Sequence, residues 1–175
     1  MLVITIIGII VDVFTCVGII IAVLEFHWTK KSILVNNERG QKQATLDFYM
    51  NIKDELYALN HSIYERFKRN TILYSDIKDD EEFLAILKRY LNIMEIVATG
   101  INTGIYNIDV FDRLYGDVCV RVVEQLEDYI FNRRIIIKEP EMYRDLDLLV
   151  FRLKSIHNEN DELLNSKASI RNSFE

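Results

Sequence analysis

The chain is poor in the residues that turn, staple or break a fold. One proline and 6 glycines in 175 residues are too few for a turn-rich β sandwich or barrel, or for long flexible linkers. Two cysteines cannot build a disulfide framework, so nothing points to an oxidising compartment. Positive charge is in deficit: 21 Lys and Arg against 27 Asp and Glu leave a formal net charge of -6. A general nucleic-acid binder has the opposite, basic footprint, so direct DNA binding is not expected. His27, His61 and His157 are isolated from one another and Cys16 and Cys119 stand alone, so no metal-ligand spacing exists. Nucleophile elbow, Walker-type loop and dinucleotide fingerprint are all missing. The segment from Gly100 to Gly104 reads G-I-N-T-G and lacks the Lys and Ser or Thr of a phosphate cradle. These absences predict a protein that is not an enzyme and carries no metal and no cofactor.

What is abundant is apolar surface in one place. The chain is 50% hydrophobic and 27% charged, with a mean hydropathy of +0.05, so its apolar residues must be concentrated. Leu2 to Leu24 is a run of 23 residues with Asp12 as its single charge. At about 1.5 Å per residue such a helix spans a hydrocarbon layer of roughly 30 Å. No Lys or Arg precedes the run, it is too long for a signal-peptide core, and no A-x-A-like site follows. Residues 1–28 are therefore expected to be a retained transmembrane anchor. Phe26, His27 and Trp28 fall at interface depth, and Lys30, Lys31, Arg39 and Lys42 follow on the C-terminal side. The positive-inside rule then places the N-terminus outside and the remainder in the cytoplasm, with Lys30 and Lys31 against anionic headgroups. No second apolar stretch is long enough to cross.

The run is not uniform around its axis. Thr5, Gly8, Asp12, Thr15, Ile19 and Ala22 recur at alternating steps of three and four, a seam of period 3.5. All but Ile19 are small or polar. Helices in lipid associate through small residues and polar side chains, and an Asp facing acyl chains alone costs about 2.5–3.5 kcal/mol on insertion scales. Thr5, Gly8, Asp12, Thr15 and Ala22 are thus the expected seam of a homo-oligomer within the bilayer.

The remaining residues predict an all-α fold: a juxtamembrane connector (29–40), a cytoplasmic bundle of about four helices (41–157) and a polar tail (158–175). Tyr49, Ile52, Leu56, Leu59, Ile63 and Phe67 mark the buried face of a first helix over 41–69. Asp79 or Asp80 caps a second, from Glu81 to about Thr99, with Gly100 as its stop. That helix is apolar almost all round and is expected to be central. Asp109 is placed to cap a third helix over 110–134, and Pro140 to open a fourth that ends near His157.

Two sets of polar residues are candidates for a site. Lys88, Asn92 and Glu95 share the polar stripe of the central helix, and a Glu there needs a partner; Arg121 or Arg133 is a natural choice. Basic residues cluster at Arg66, Lys68, Arg69, at Lys88, Arg89 and at Arg133, Arg134. Gathered between subunits, they form the expected site for an anionic ligand through Arg–phosphate pairing.

The stretch Tyr90-Leu91-Asn92-x-x-Glu95-x-x-Ala98-x-Gly100-Ile101-x-x-Gly104-Ile105, with Asp109 after it, resembles a family of bacterial proteins with no assigned activity. They pair one N-terminal membrane helix with a small helical cytoplasmic domain carrying a Y-L-N-x-x-E segment. The likeness covers the anchor and residues 41–155 in layout, with its sequence support on 90–109. It implies architecture and a bacterial inner-membrane setting, not a reaction. In design the layout also resembles membrane effectors of antiviral defence, whose cytosolic domain senses a nucleotide messenger while the membrane helices perturb the bilayer.

The leading expectation is a non-enzymatic, self-associating inner-membrane protein whose cytoplasmic helical domain mediates oligomerisation or partner binding, with the bilayer and its own copies as partners. The alternative is a ligand-gated, membrane-perturbing effector that senses an anionic cyclic nucleotide. An enzyme built on Glu95 ranks third, because no metal, nucleophile or cleft accompanies that residue in the sequence.

Overall fold

A computed structural model describes the backbone of residues 2–172 and the side chains of residues 18–162, Arg69 excepted in both. The seam residues Thr5, Gly8, Asp12 and Thr15 lie outside the described side chains. The chain divides into two compact units, Met1–Gly40 and Gln41–Glu175. Helix α1, Leu2–Phe67, contributes to both. In the first unit every described residue from 18 to 40, Ala22 included, is exposed, and α1 passes through the expected connector without a break. Among the described residues no helix is long and apolar enough to cross a membrane; most of the apolar run lies outside them.

The second unit is all-helical among the described residues. After α1 come a single turn α2 (Tyr74–Ile77), the central helix α3 (Glu81–Asn102), an interrupted run made of α4 (Ile108–Phe111), a π-helical turn (Asp112–Gly116), α5 (Asp117–Gln125) and α6 (Glu127–Ile137), and finally α7 (Arg144–Asn172). Helix α3 is the centre of the core. Leu87, Tyr90, Leu91, Met94 and Ala98 are completely buried, and α7 brings Leu146, Leu149 and Leu153 to the same core. The C-terminal part of α1 contributes Thr45, Leu56 and Ile63, all at most 4% exposed, with Tyr49, Ile52, Leu59 and Phe67 half-buried beside them. The expected face of that helix is the observed one. Ile96 is the exception to an α3 apolar all round: it is 58% exposed.

Helix boundaries follow capping chemistry. Of the two acids offered as a cap for α3, Asp80 does the work: its carboxylate accepts from the Phe83 N–H at 2.9 Å, with Glu81 and Glu82 at the positive end of the helix. Arg66 pairs with Asp80 and lies 4.5 Å from the Phe83 ring centroid, which ties the end of α1 to the start of α3.

Gly100 is not the stop of α3. The helix continues to Asn102 and closes at Gly104, whose φ of +75° suits glycine. The Ile105 N–H donates to the Gly100 carbonyl at 2.8 Å and the Gly104 N–H to the Ile101 carbonyl at 3.1 Å, a Schellman closure. Gly100 serves packing instead: a Cβ there would come within 2.2 Å of the Tyr106 ring. That ring also packs against Phe48, 5.1 Å between centroids and tilted. Its loop is fastened to α1 by Gln41, which donates to the Gly104 carbonyl at 2.8 Å, and by Thr45, whose hydroxyl accepts from the Asn107 N–H at 2.8 Å.

The expected third helix is corrected in two ways. Asn107, not Asp109, is its cap, accepting from the Val110 N–H at 3.1 Å; Asp109 sits in the first turn. The run is also broken, by the π turn and again at Leu126 (φ -93°, ψ 4°). The π turn brings the Asp112 carboxylate over Gly116, where a Cβ would lie 2.1 Å from it. Pro140 does not open α7. It sits in a turn where Lys138 and Tyr143 both have positive φ, and α7 begins at Arg144, held by groups on α3 and α6 described below. The polar tail is helical as far as Asn172.

Gly100→Ala should lower stability by about 1–2 kcal/mol, read from the urea midpoint. The helix-propensity gain of up to about 1 kcal/mol is outweighed by an overpacking cost of about 1–3 kcal/mol. Gly40→Ala, with nothing within 4 Å of the added carbon, should show no loss. An unchanged midpoint for Gly100→Ala would mean that the Tyr106 ring is free to step aside.

Candidate functional site

Four polar side chains of α3, at Asn92, Glu95, Thr99 and Asn102, recur at steps of three and four and so share one face. That face meets the start of α7. The first N–H groups of a helix have no partner within it, and Tyr143, the residue before α7, has no carboxylate or hydroxyl placed to cap it. Glu95 supplies the acceptor from the neighbouring helix, taking the Leu146 N–H at 2.9 Å and the Asp145 N–H at 3.3 Å on its two oxygens. The Asp145 carboxylate in turn accepts from the Thr99 hydroxyl at 2.7 Å and the Asn102 amide at 3.1 Å. Arg152 donates to Asn102 Oδ1 at 3.2 Å, and the Tyr143 hydroxyl to Asn92 Oδ1 at 3.4 Å.

The partner of Glu95 is therefore a pair of backbone N–H groups, not Arg121 or Arg133. Backbone donors leave no trace in side-chain identity, which is why a basic partner was the natural expectation. Burial pushes the Glu95 carboxyl above its ordinary value, the two N–H groups pull it back, and the Asp145 and Asp147 carboxylates add to the rise. Asp145 shifts the opposite way, because hydrogen bonds from Thr99 and Asn102 stabilise its charged form. Thr99 belongs to the same polar stripe in the sequence, whereas Asn102 was missed as a member of the network. The signal was the continuation of the Asn92–Glu95 spacing by about two more turns, through Thr99 to Asn102.

Lys88, expected beside Asn92 and Glu95, points elsewhere, and the structure sorts the basic clusters. Arg66 is paired with Asp80 and Arg89 with Glu55. Arg134 reaches Asp147 at 2.5 Å and also donates to the Met142 carbonyl at 2.8 Å. Lys68, with φ 45°, ends α1, and Arg69 lies outside the described residues. Lys88 and Arg133 are the two that converge. They line a cleft of about 220 Å³ between α2, α3 and α6, with Tyr74, Tyr129, Leu84, Ala85 and Glu81. The Tyr74 and Tyr129 rings stand 6.3 Å apart and tilted. Asp128, which holds α2 by accepting the Tyr74 N–H at 2.7 Å, fixes that wall.

Other groups with chemical potential are engaged or inert. Burial pushes the Cys119 thiol up to about 12, so it is not a thiolate nucleophile at neutral pH. Tyr90 and Tyr115 carry buried hydroxyls without an acceptor, and burial pushes Tyr115 up to about 12. His157 contacts Asp112 at 2.7 Å in the π turn, a pairing across 45 residues that no sequence spacing announces. Among the described residues no group of His, Cys, Asp and Glu could hold a metal ion.

A wider groove of about 410 Å³ lies between α5–α6 and α7. Val123, Ile130 and Val150 form its floor, and Phe131 and Phe151 stand on its edges at 61% and 71% exposure. Its rim carries two ion pairs, Glu124–Lys154 at 2.7 Å and Arg134–Asp147 at 2.5 Å.

Removing the cap tests the first of these arrangements. Glu95→Ala should cost about 1–2 kcal/mol at neutral pH, the usual loss for an N-cap acceptor. Because the folded chain raises the Glu95 pKa above its ordinary 4.5, it holds that proton more tightly than the unfolded chain. The titration's contribution is then complete below the ordinary value and falls as pH rises through the raised one. Denaturation of wild type against Glu95→Gln should show a stability difference that declines upward from about pH 4.5; a flat or rising difference would contradict the assignment.

A family model described as a domain of unknown function, DUF4760, matches residues 5–153. Neither a curated protein nor a solved structure matches the chain. The matched stretch takes in most of the apolar run, the whole of α3 with its polar face, and α7 as far as Leu153, and the chain belongs to this family.

Proposed function

We propose that the chain is a non-enzymatic, self-associating protein of the bacterial inner membrane, anchored by Leu2–Leu24, whose cytoplasmic helical domain binds a second copy of itself. The single observation that carries the reading is the groove beside α7 with Phe131 and Phe151 on its edges. Large exposed aromatics flanking an apolar floor mark interaction surfaces on otherwise polar domains. A second copy is the fitting occupant because each rim ion pair contains one acid and one base. Under a two-fold axis Arg134 of one subunit can meet Asp147 of the other, and the reverse, so the patch is complementary to itself.

The apolar run supports the same reading through its seam. Asp12 is less costly facing its counterpart than facing acyl chains, and confinement to a membrane raises the effective concentration at which the grooves meet. The network around Glu95 supports a structural role for the Y-L-N-x-x-E segment, since both carboxylate oxygens are already engaged by α7.

The test uses the full chain. It should stay in the membrane pellet after carbonate washing and run as a dimer or larger species by light scattering in mild detergent. Phe131→Glu with Phe151→Glu should weaken association at least about tenfold while preserving helicity by circular dichroism. A chain released by carbonate, or a wild type monomeric at every concentration tried, would sink the reading.

A further inference from the structure

We propose that the cleft between α2, α3 and α6 is a binding site for a single phosphate group, whether free or at the end of an ester, held by Lys88 and Arg133. The argument starts from charge. The chain carries a net charge of -6, and the neighbouring cations Arg66, Arg89 and Arg134 are each neutralised by a carboxylate. Lys88 and Arg133 converge on one concavity with neither in an ion pair. They come from different elements, Lys88 from the third turn of α3 and Arg133 from α6, so no local helical pattern brings them together. Arg133 is half-buried and Lys88 exposed, so both cations remain open to an anion entering from solvent.

The walls fit the same ligand. Tyr129, 2% exposed, and the half-buried Tyr74 and Leu84 make an apolar wall beside the two cations. Arg133 lies near enough to the Tyr129 and Tyr143 hydroxyls to counter part of the rise that burial gives them. Glu81 is the one acid in the lining; it leaves a net positive site. Size sets the ligand class. At about 220 Å³ the cleft is smaller than the roughly 300–1,000 Å³ pockets that enclose drug-sized molecules. A phosphate fits inside, with the rest of any ester left outside. Arg133 offers the fork that matches two phosphate oxygens, and Lys88 a point charge.

Binding of inorganic phosphate, adenosine monophosphate and short-chain phosphatidic acid to the detergent-solubilised full chain, followed by calorimetry, tests this. Saturable phosphate binding is expected, weakened at least about tenfold by Lys88→Gln and by Arg133→Gln, less by Arg133→Lys, and unchanged by Arg89→Gln. Tighter binding of the nucleotide assigns a soluble ester, and tighter binding of the lipid assigns a headgroup; both support the site. No saturable binding of any of the three, or equal binding by wild type and the folded Lys88→Gln and Arg133→Gln variants, overturns it. Phosphate binding is read independently of oligomeric state, so this proposal and the self-association reading can fail separately.

Discussion

The domain depends on one carboxylate placed where a helix begins. Glu95 sits in the middle of α3, its side chain half-buried, and receives the first free N–H groups of α7. A helix start leaves its first N–H groups without partners inside the helix, and a partly buried donor left unmade costs more than an ordinary surface hydrogen bond gains. Supplying the acceptor from α3 fixes both where α7 starts and how it is rotated. That rotation brings Leu146, Leu149 and Leu153 onto Leu91, Met94 and Ala98 as one buried core. The polar contact specifies the pairing, and the apolar contact provides most of the driving force.

The first turn of α7 is a junction for that reason. Asp145 faces α3 through Thr99 and Asn102, while Asp147 faces α6 through Arg134. Arg134 also takes the Met142 carbonyl, so the turn holding Pro140 is strapped from the α6 side. Two positive-φ residues, Lys138 and Tyr143, allow that turn its reversal. A helix beginning at Pro140 would leave Glu95 and Arg134 without these partners, and the competition is settled in favour of the later start.

Periodicity made much of this legible. The buried face of α1 from Tyr49 to Phe67, the central place of α3 and the absence of strands among the described residues follow from apolar spacing alone. So did the importance of Asn92 and Glu95, because a carboxylate on an apolar helix must be answered. What spacing could not carry was the identity of the answering group, since backbone N–H groups are common to every residue but proline. The same limit explains the misplaced stop at Gly100. A glycine near a helix end reads as a terminator, and only the approach of the Tyr106 ring distinguishes a packing glycine from a capping one. The interruption at Asp112–Gly116 was invisible for a related reason: its stabilising partner, His157, lies in a different helix.

The distribution of charge shows how a small acidic domain keeps two surfaces distinct. On the face of α3 toward α1, Arg89 is answered by Glu55, and at its start Arg66 is answered by Asp80, so these basic residues hold helices together. On the groove beside α7 both rim pairs are closed and near the surface, where each contributes little to folding. The cleft bearing Lys88 and Arg133 is arranged differently, with its cations left open and its walls apolar. The groove thus has a closed rim of mixed sign, whereas the cleft holds two open cations beside one acid, Glu81. Helix α6 serves both, with Phe131 and Arg134 toward the groove and Tyr129 and Arg133 toward the cleft.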